Sequence, residues 1–207
     1  MVNIAVLVSG GGTNLQALID AEKAGKLKNG RLALVISSST DAYALKRAED
    51  AGIKSECVLR SGYKGRKAFT HAIVETLRRH DVGLVVLAGF MIILSPEFTE
   101  VFENRVLNVH SALIPAFSGK GFYGLHVHEA ALASGVKLSG ATVHFVNEQC
   151  DGGPIILQKA VEVLYGDTPE TLQRRVMTEA EWVILCEAVS LFCEGRLTVE
   201  GNRVKIG

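Results

Sequence analysis

Three observations predict an α/β fold built on a mostly parallel central sheet with helices on both faces. Short, continuously apolar runs alternate with segments of helical period as far as residue 88. That rhythm requires parallel pairing through right-handed crossovers. A glycine-rich turn, Ser9-Gly10-Gly11-Gly12-Thr13-Asn14, joins the first run to the first helical segment. Beyond Pro96 the alternation breaks, and two strand-like runs follow each other across the turn Cys150-Asp151-Gly152-Gly153-Pro154. A short turn of that kind joins antiparallel strands.

Residues 4–9 form the first buried strand, being apolar and β-branched throughout. Residues 15–24 carry helical spacing through Leu15, Leu18 and Ile19, with Gly25 placed to end the helix. The pattern repeats as strand 32–37, helix 42–51 closed by Gly52, and a short strand 55–59. A longer helix at 65–80 shows the stripe Phe69, Ile73, Leu77, and strand 84–88 follows. Strand 106–109 has no long helix before it. A loop at 118–124 leads to a helix near 128–134, and strands 141–145 and 155–163 flank the Asp151 turn. Asp167-Thr168-Pro169-Glu170 orders cap, proline and acid as a helix start does. That helix is expected to run to Cys193 and stop at Gly195, with a small hairpin of 197–199 and 203–206 after it. With no repeat, low-complexity tract or linker, the 207 residues read as one domain.

Lys plus Arg equal Asp plus Glu at 22 each, so no basic surface advertises nucleic acid or an anionic membrane. No apolar run reaches membrane-spanning length, and the N-terminus lacks the pattern of a signal peptide. The 4 cysteines are scattered without a CxxC pair. That reads as reduced thiols in a cytoplasmic protein rather than a zinc site.

The glycine-rich turn supplies backbone N–H groups backed by a helix dipole, which is a phosphate cradle. Leu15 occupies the last glycine of a GxGxxG pattern, and no acid ends the second strand (Ser37-Ser38-Ser39) to bind a ribose. A phosphate monoester therefore fits better than a dinucleotide. In Val106-Leu107-Asn108-Val109-His110, Asn108 and His110 fall on one side of an extended chain. Alone, such a histidine is as often structural as functional, and Asp151 alone is a turn former. Together an amide, an imidazole and a carboxylate bind a carbonyl oxygen, stabilise charge that develops there, and hold the imidazole in its charged form. That set suits acyl transfer to nitrogen. His144 reads as a core residue or one behind the site. His126 and His128 read as loop residues near it, with no third ligand for a metal. His71 and His80 read as helix-surface residues.

The phosphate turn, Leu87-Ala88-Gly89-Phe90-Met91, Asn108-x-His110 with Leu113-Ile114-Pro115, and Asp151-Gly152-Gly153-Pro154 together resemble the phosphoribosylglycinamide formyltransferase family. The match is co-linear from Met1 to the region of Gly195. The resemblance implies a single-domain, Rossmann-like formyltransferase fold. Its 1–100 half would bind phosphate, and its 101–207 half would hold catalysis and folate. It implies transfer of the formyl group of 10-formyltetrahydrofolate, a co-substrate, to the amine of phosphoribosylglycinamide (GAR) in purine biosynthesis, without a metal. Its partners would be those small molecules, and its state a monomer or homodimer. By the same resemblance His110 is general acid and electrostatic stabiliser, Asn108 the donor to the formyl oxygen, and Asp151 the partner of His110. Gly12, Thr13 and Asn14 hold the phosphate, and Glu181 contacts GAR. Met91, Ile92, Ile93 and Leu94 line the pterin pocket with the loop of Asn147 and Asp151, while Asn108 also touches folate and Arg66 meets its tail.

The chain departs from that pattern at four places. Ile92 stands where many members carry Arg, and Ser111 where proline is usual. The loop from Pro115 to Gly124 is longer and adds Lys120. One extra residue is needed near 177–181 to bring Glu181 into line. Among rivals, a formyltetrahydrofolate deformylase usually carries a further N-terminal domain, and a methionyl-tRNA formyltransferase a further RNA-binding one. A non-catalytic nucleotide-binding module leaves the Asn, His and Asp set unexplained.

Overall fold

The computed structural model describes residues 1–207. Strands β1 (Val2–Val8), β2 (Gly30–Ser37), β3 (Lys54–Cys57), β4 (Leu84–Leu87) and β5 (Val106–His110) lie parallel, with β1 between β2 and β4. Strand β6 (Leu138–Phe145) continues the sheet antiparallel to β5, and β7 (Ile155–Glu162) pairs antiparallel to β6. The terminal hairpin β8 (Leu197–Glu200) and β9 (Arg203–Ile206) completes a nine-stranded sheet in the order β3-β2-β1-β4-β5-β6-β7-β9-β8. The expected fold class holds, including the switch from parallel to antiparallel pairing after β5.

Residue alternation sorts the two faces. Ile4, Val6 and Val8 of β1 pack with Leu15 and Leu18 of α1 (Thr13–Lys23) and with Ala188 and Val189 of α7 (Trp182–Cys193). Ala5 and Leu7 turn the other way, onto Phe69, Ile73 and Leu77 of α3 (Gly65–Arg79). Ile4 through Val8 are 0 % exposed, which explains why the strand reads as a continuous apolar run rather than an alternating one. Helix α2 (Tyr43–Asp50) covers the β1 turn through Ala44 and Ala48.

Three elements differ from expectation. A short helix α4 (Glu97–Val101) follows Ser95-Pro96, closed by a Phe98–Phe102 ring contact at 5.4 Å. It is too brief to show a period, although proline followed by an acid is a helix-start signal. Helix α5 (Leu125–Ala133) starts three residues ahead of the expected 128, so His126 and His128 are helical rather than loop residues. The long C-terminal helix is interrupted. Helix α6 (Pro169–Val176) gives way to a π-turn at Met177–Glu181 before α7 begins. A π-turn accommodates one residue more than an α-turn. The extra residue needed to align Glu181 is therefore absorbed inside the helix, not in a loop.

Candidate active site

The parallel strands β1, β4 and β5 deliver their carboxyl ends to one edge of the sheet, where open α/β folds gather ligands. At the end of β1, Gly12 takes φ +69° against α2, where an added Cβ would sit 2.6 Å from the Ala44 Cβ. Only glycine fits both demands. Helix α2 also grips the turn directly. The Ala44 N–H donates to the Gly10 carbonyl at 3.1 Å, and the Arg47 Nε–H to the Gly11 carbonyl at 2.9 Å. Helix α1 then opens at Thr13 with no side-chain cap, leaving its first N–H groups to a ligand.

Asn14 follows in that first turn. Its Nδ2–H donates to Glu181 Oε2 at 3.1 Å, while its Oδ1 is buried without a partner. A phosphate only accepts hydrogen bonds, so with the amide turned this way Asn14 meets one through its backbone and offers Oδ1 to a hydroxyl or amine. Glu181 is 5 % exposed at the end of the π-turn, and Ser111 Oγ donates to its Oε1 at 2.7 Å. Burial pushes the Glu181 carboxyl up from its ordinary value, against the pull of Ser111, Asn14 and the His110 charge.

In β5, Leu107 and Val109 pack toward α1 and α7, so Asn108 and His110 take the opposite face. Register places His144 of β6 opposite Asn108 and Thr142 opposite His110. The His144 Nδ1 donates to the Phe145 carbonyl at 2.7 Å, so the neutral ring has Nε2 free to accept. Asn108 Nδ2 lies 3.2 Å from that nitrogen. One amide N–H is thus committed to His144, and the other is left for a ligand oxygen. His144 is 2 % exposed, as a residue behind the site should be.

His110 is 7 % exposed. Its Nε2–H donates to the Phe117 carbonyl at 2.8 Å, which leaves Nδ1 as the nitrogen able to exchange protons. Nδ1 faces Asp151 Oδ2 at 3.7 Å. The turn that carries Asp151 leaves β6 where the Val146 N–H meets the Val106 carbonyl, yet Asp151 reaches His110, four residues farther along β5. The turn therefore folds back over the sheet by roughly 13 Å. Asp151 adopts φ +54°, and an added Cβ at Gly153 would overlap the Phe145 carbonyl, so the Asp-Gly-Gly sequence is what allows the return. The Asn147 side chain braces this loop, accepting from the Gln149 N–H at 3.0 Å and donating to the Gly152 carbonyl at 3.3 Å.

Burial opposes the Asp151 charge. The Gly119 N–H (2.8 Å) and the His110 charge outweigh it and hold the carboxyl below its ordinary value, while the His144 Nε2, taken up by Asn108, stands 3.7 Å from Oδ1. His128, 0 % exposed on α5 and unpartnered at both ring nitrogens, is pushed down to about 4 by burial and by the neighbouring His110 charge. It is neutral near pH 7. His126 is exposed and paired with Glu129 at 3.0 Å. Two residues apart on a helix, the two histidines do not converge, and no group of three His, Cys, Asp or Glu is arranged to hold a metal ion.

After β4, Met91 and Ile93 are 56 % and 67 % exposed, while Ile92 and Leu94 turn back onto the α3 side of the core. The Met91 N–H donates to Ser9 Oγ at 3.0 Å, which fastens this segment to the phosphate turn. Arg66 is exposed in the first turn of α3 and engages no internal carboxylate. His71 is exposed as expected, but His80 is not a surface residue; it is half-buried against Glu56 at 2.7 Å. The structure thus brings together Asn108, His110 and Asp151, and separately Asn14 and Glu181. It adds the Phe117 carbonyl, the Gly119 N–H, Ser111 and His128. The first two are backbone groups that no side-chain pattern reveals.

A formyl transferase family model matches residues 2–189. Phosphoribosylglycinamide formyltransferase of Escherichia coli (strain K12) is 41 % identical over 201 residues, spanning 97 % of this chain and 92 % of that protein. A crystal structure of glycinamide ribonucleotide transformylase 1 from Symbiobacterium toebii superposes with a TM-score of 0.94 at 48 % identity, covering 100 % of this chain and 94 % of that one. A structure of the Coxiella burnetii phosphoribosylglycinamide formyltransferase gives 0.91 at 39 % identity, covering 99 % and 93 %. The chain belongs to the formyl transferase family, among its phosphoribosylglycinamide formyltransferases.

Proposed function

We propose that the chain moves the formyl group of 10-formyltetrahydrofolate to the amine of GAR, yielding formyl-GAR and tetrahydrofolate, as a cytoplasmic enzyme of purine biosynthesis. The observation that carries this reading is the pairing of a free Asn108 N–H with a His110 ring whose Nε2 is already committed, beside a buried carboxylate. No helix is long and apolar enough to cross a membrane.

In this reading the neutral amine of GAR attacks the formyl carbon. A C–N bond forms, and the carbonyl π pair moves onto oxygen. The Asn108 N–H and the Nδ1–H of protonated His110 stabilise that oxygen, and one such aimed donor is worth about 3 kcal/mol. Asp151 favours the charged ring. The attacking nitrogen loses a proton, the folate N10 gains one, and the C–N10 bond breaks. The exchangeable Nδ1 of His110 is the side-chain nitrogen placed to carry that proton. The phosphate sits on the Gly12, Thr13 and Asn14 backbone, with Glu181 on the sugar. Folate lies along Met91, Ile92, Ile93 and Leu94 with Asn108, Asn147 and Asp151, its glutamate tail toward Arg66. The phosphate turn lies in residues 1–100 and the catalytic three in 101–207, with the folate strip at the seam. The enzyme works as a monomer or homodimer.

Absorbance of the folate on mixing protein with 10-formyltetrahydrofolate tests the proposal. Loss of the formyl group only when GAR is present supports transfer. Loss without GAR means hydrolysis, and no loss from folded protein defeats the reading.

A further inference from the structure

We propose that Ser111 is a positioning residue of the ribonucleotide subsite, its hydroxyl aiming the Glu181 carboxylate and tying the strand end that carries His110 to the turn that meets the sugar. This rests on the reading of Glu181 as a GAR contact.

Glu181 is 5 % exposed and has no cationic partner in an ion pair. A buried carboxylate with no ion-pair contact depends on its hydrogen-bond donors for its direction. Two donors serve it, one on each oxygen: Ser111 at 2.7 Å and Asn14 at 3.1 Å. A carboxylate accepts at roughly four lone-pair sites, so about two remain for the hydroxyls of a sugar. Chain direction explains why Ser111 reaches it. Continuing the alternation of β5, His110 faces Asp151 while Ser111 faces the opposite layer, where α7 begins. The π-turn sets the other side of the bond by rotating Glu181 at the helix junction toward β5. Two departures from the family pattern, the serine at 111 and the extra residue at 177–181, thus meet in one hydrogen bond.

The position also connects the substrates. Asn14 belongs to the phosphate helix, Glu181 to the π-turn, and Ser111 directly follows His110. Seating the sugar against Glu181 loads the strand end on which the proton-exchanging ring sits. The Asn14 Oδ1, buried and unpartnered, is an acceptor that a sugar hydroxyl satisfies.

Steady-state kinetics of wild type, Ser111→Ala, Ser111→Thr and Ser111→Val, with GAR and 10-formyltetrahydrofolate varied separately, tests this. Thr and Val share a shape and differ by the hydroxyl, so their comparison holds even where Ala perturbs folding. Loss of a hydrogen bond to a charged group predicts a rise of about tenfold in KM for GAR in Ala and Val. The KM for formyl-folate stays within about twofold, and Thr retains the wild-type KM for GAR. In a Glu181→Gln background, Ser111→Ala adds less than about twofold, because the two residues act as one unit. An unchanged KM for GAR, an equal rise in both KM values, or full multiplicativity in the double variant overturns the proposal. A wild-type chain that fails to use GAR overturns the functional reading first, so the two failures are distinguishable.

Discussion

Replacing Asp151 by Asn removes one charge while keeping size and an acceptor for the Gly119 N–H. The carboxylate lies 3.7 Å from His110 Nδ1, with the two side chains 11 % and 8 % exposed. At that separation, and at the effective dielectric of a partly buried pair, a carboxylate–imidazolium attraction is about 4 kcal/mol. Each 1.36 kcal/mol is tenfold in rate, so full loss gives an upper limit of about 10³-fold. The expected fall in kcat/KM is roughly 10²- to 10³-fold, with KM for GAR near wild type because Asp151 does not touch that subsite. Folate absorbance under saturating and limiting GAR measures both. Stability adds a second reading. The folded-state carboxyl titrates below its ordinary 3.8. It therefore contributes stability above that pH that is lost as pH falls through the lower folded value. Urea midpoints of wild type and variant should converge as pH drops below 3.8. A loss of kcat/KM smaller than about threefold refutes the proposed coupling of Asp151 to His110.

Three further outcomes follow from the geometry. His110→Ala and Asn108→Ala should each lower kcat by about 10²-fold or more in protein that stays folded by circular dichroism, since each removes a group aimed at the developing oxyanion. Gly12→Ala, at φ +69° and 2.6 Å from the Ala44 Cβ, should destabilise by about 1–3 kcal/mol in urea unfolding and raise KM for GAR. Buried His128 has its ordinary 6.5 lowered to about 4, so the unfolded chain takes up a proton in that window and the folded chain does not. Wild type should lose stability as pH falls from 6.5 to about 4, by an amount on the order of 3 kcal/mol, and His128→Leu should flatten that slope.

What the sequence revealed was what local pattern determines. The buried run of β1, the Phe69, Ile73, Leu77 stripe of α3 and the proline-led start of α6 each lie in a few consecutive residues. The Asn108–His110 pair is visible because strand alternation alone puts both on one side. Asp151 is legible locally only as a turn residue, and as the partner of His110 through the set of three and the family resemblance, since its approach depends on a turn that folds back along the sheet. The Phe117 carbonyl and Gly119 N–H, which orient His110 and Asp151, are backbone groups in a loop with positive φ at Phe117, Gly119 and Gly121, and any sequence carries such groups. The π-turn escaped because helix propensity does not distinguish five residues of π from five of α. Its only trace was a one-residue offset before Glu181. Helix α4 escaped because five residues do not complete two turns. His80 read as a surface residue because its partner, Glu56, comes from β3, outside the helix that His80 ends.

The most direct measurement follows a carbon-13 formyl label from 10-formyltetrahydrofolate, by NMR and mass spectrometry, in wild type and His110→Ala with GAR present. The label is expected on the GAR amine with wild type, in step with tetrahydrofolate formation, and at a rate lower by about two orders of magnitude with His110→Ala. Label recovered as formate, or transfer at equal rates by both proteins, would contradict that expectation.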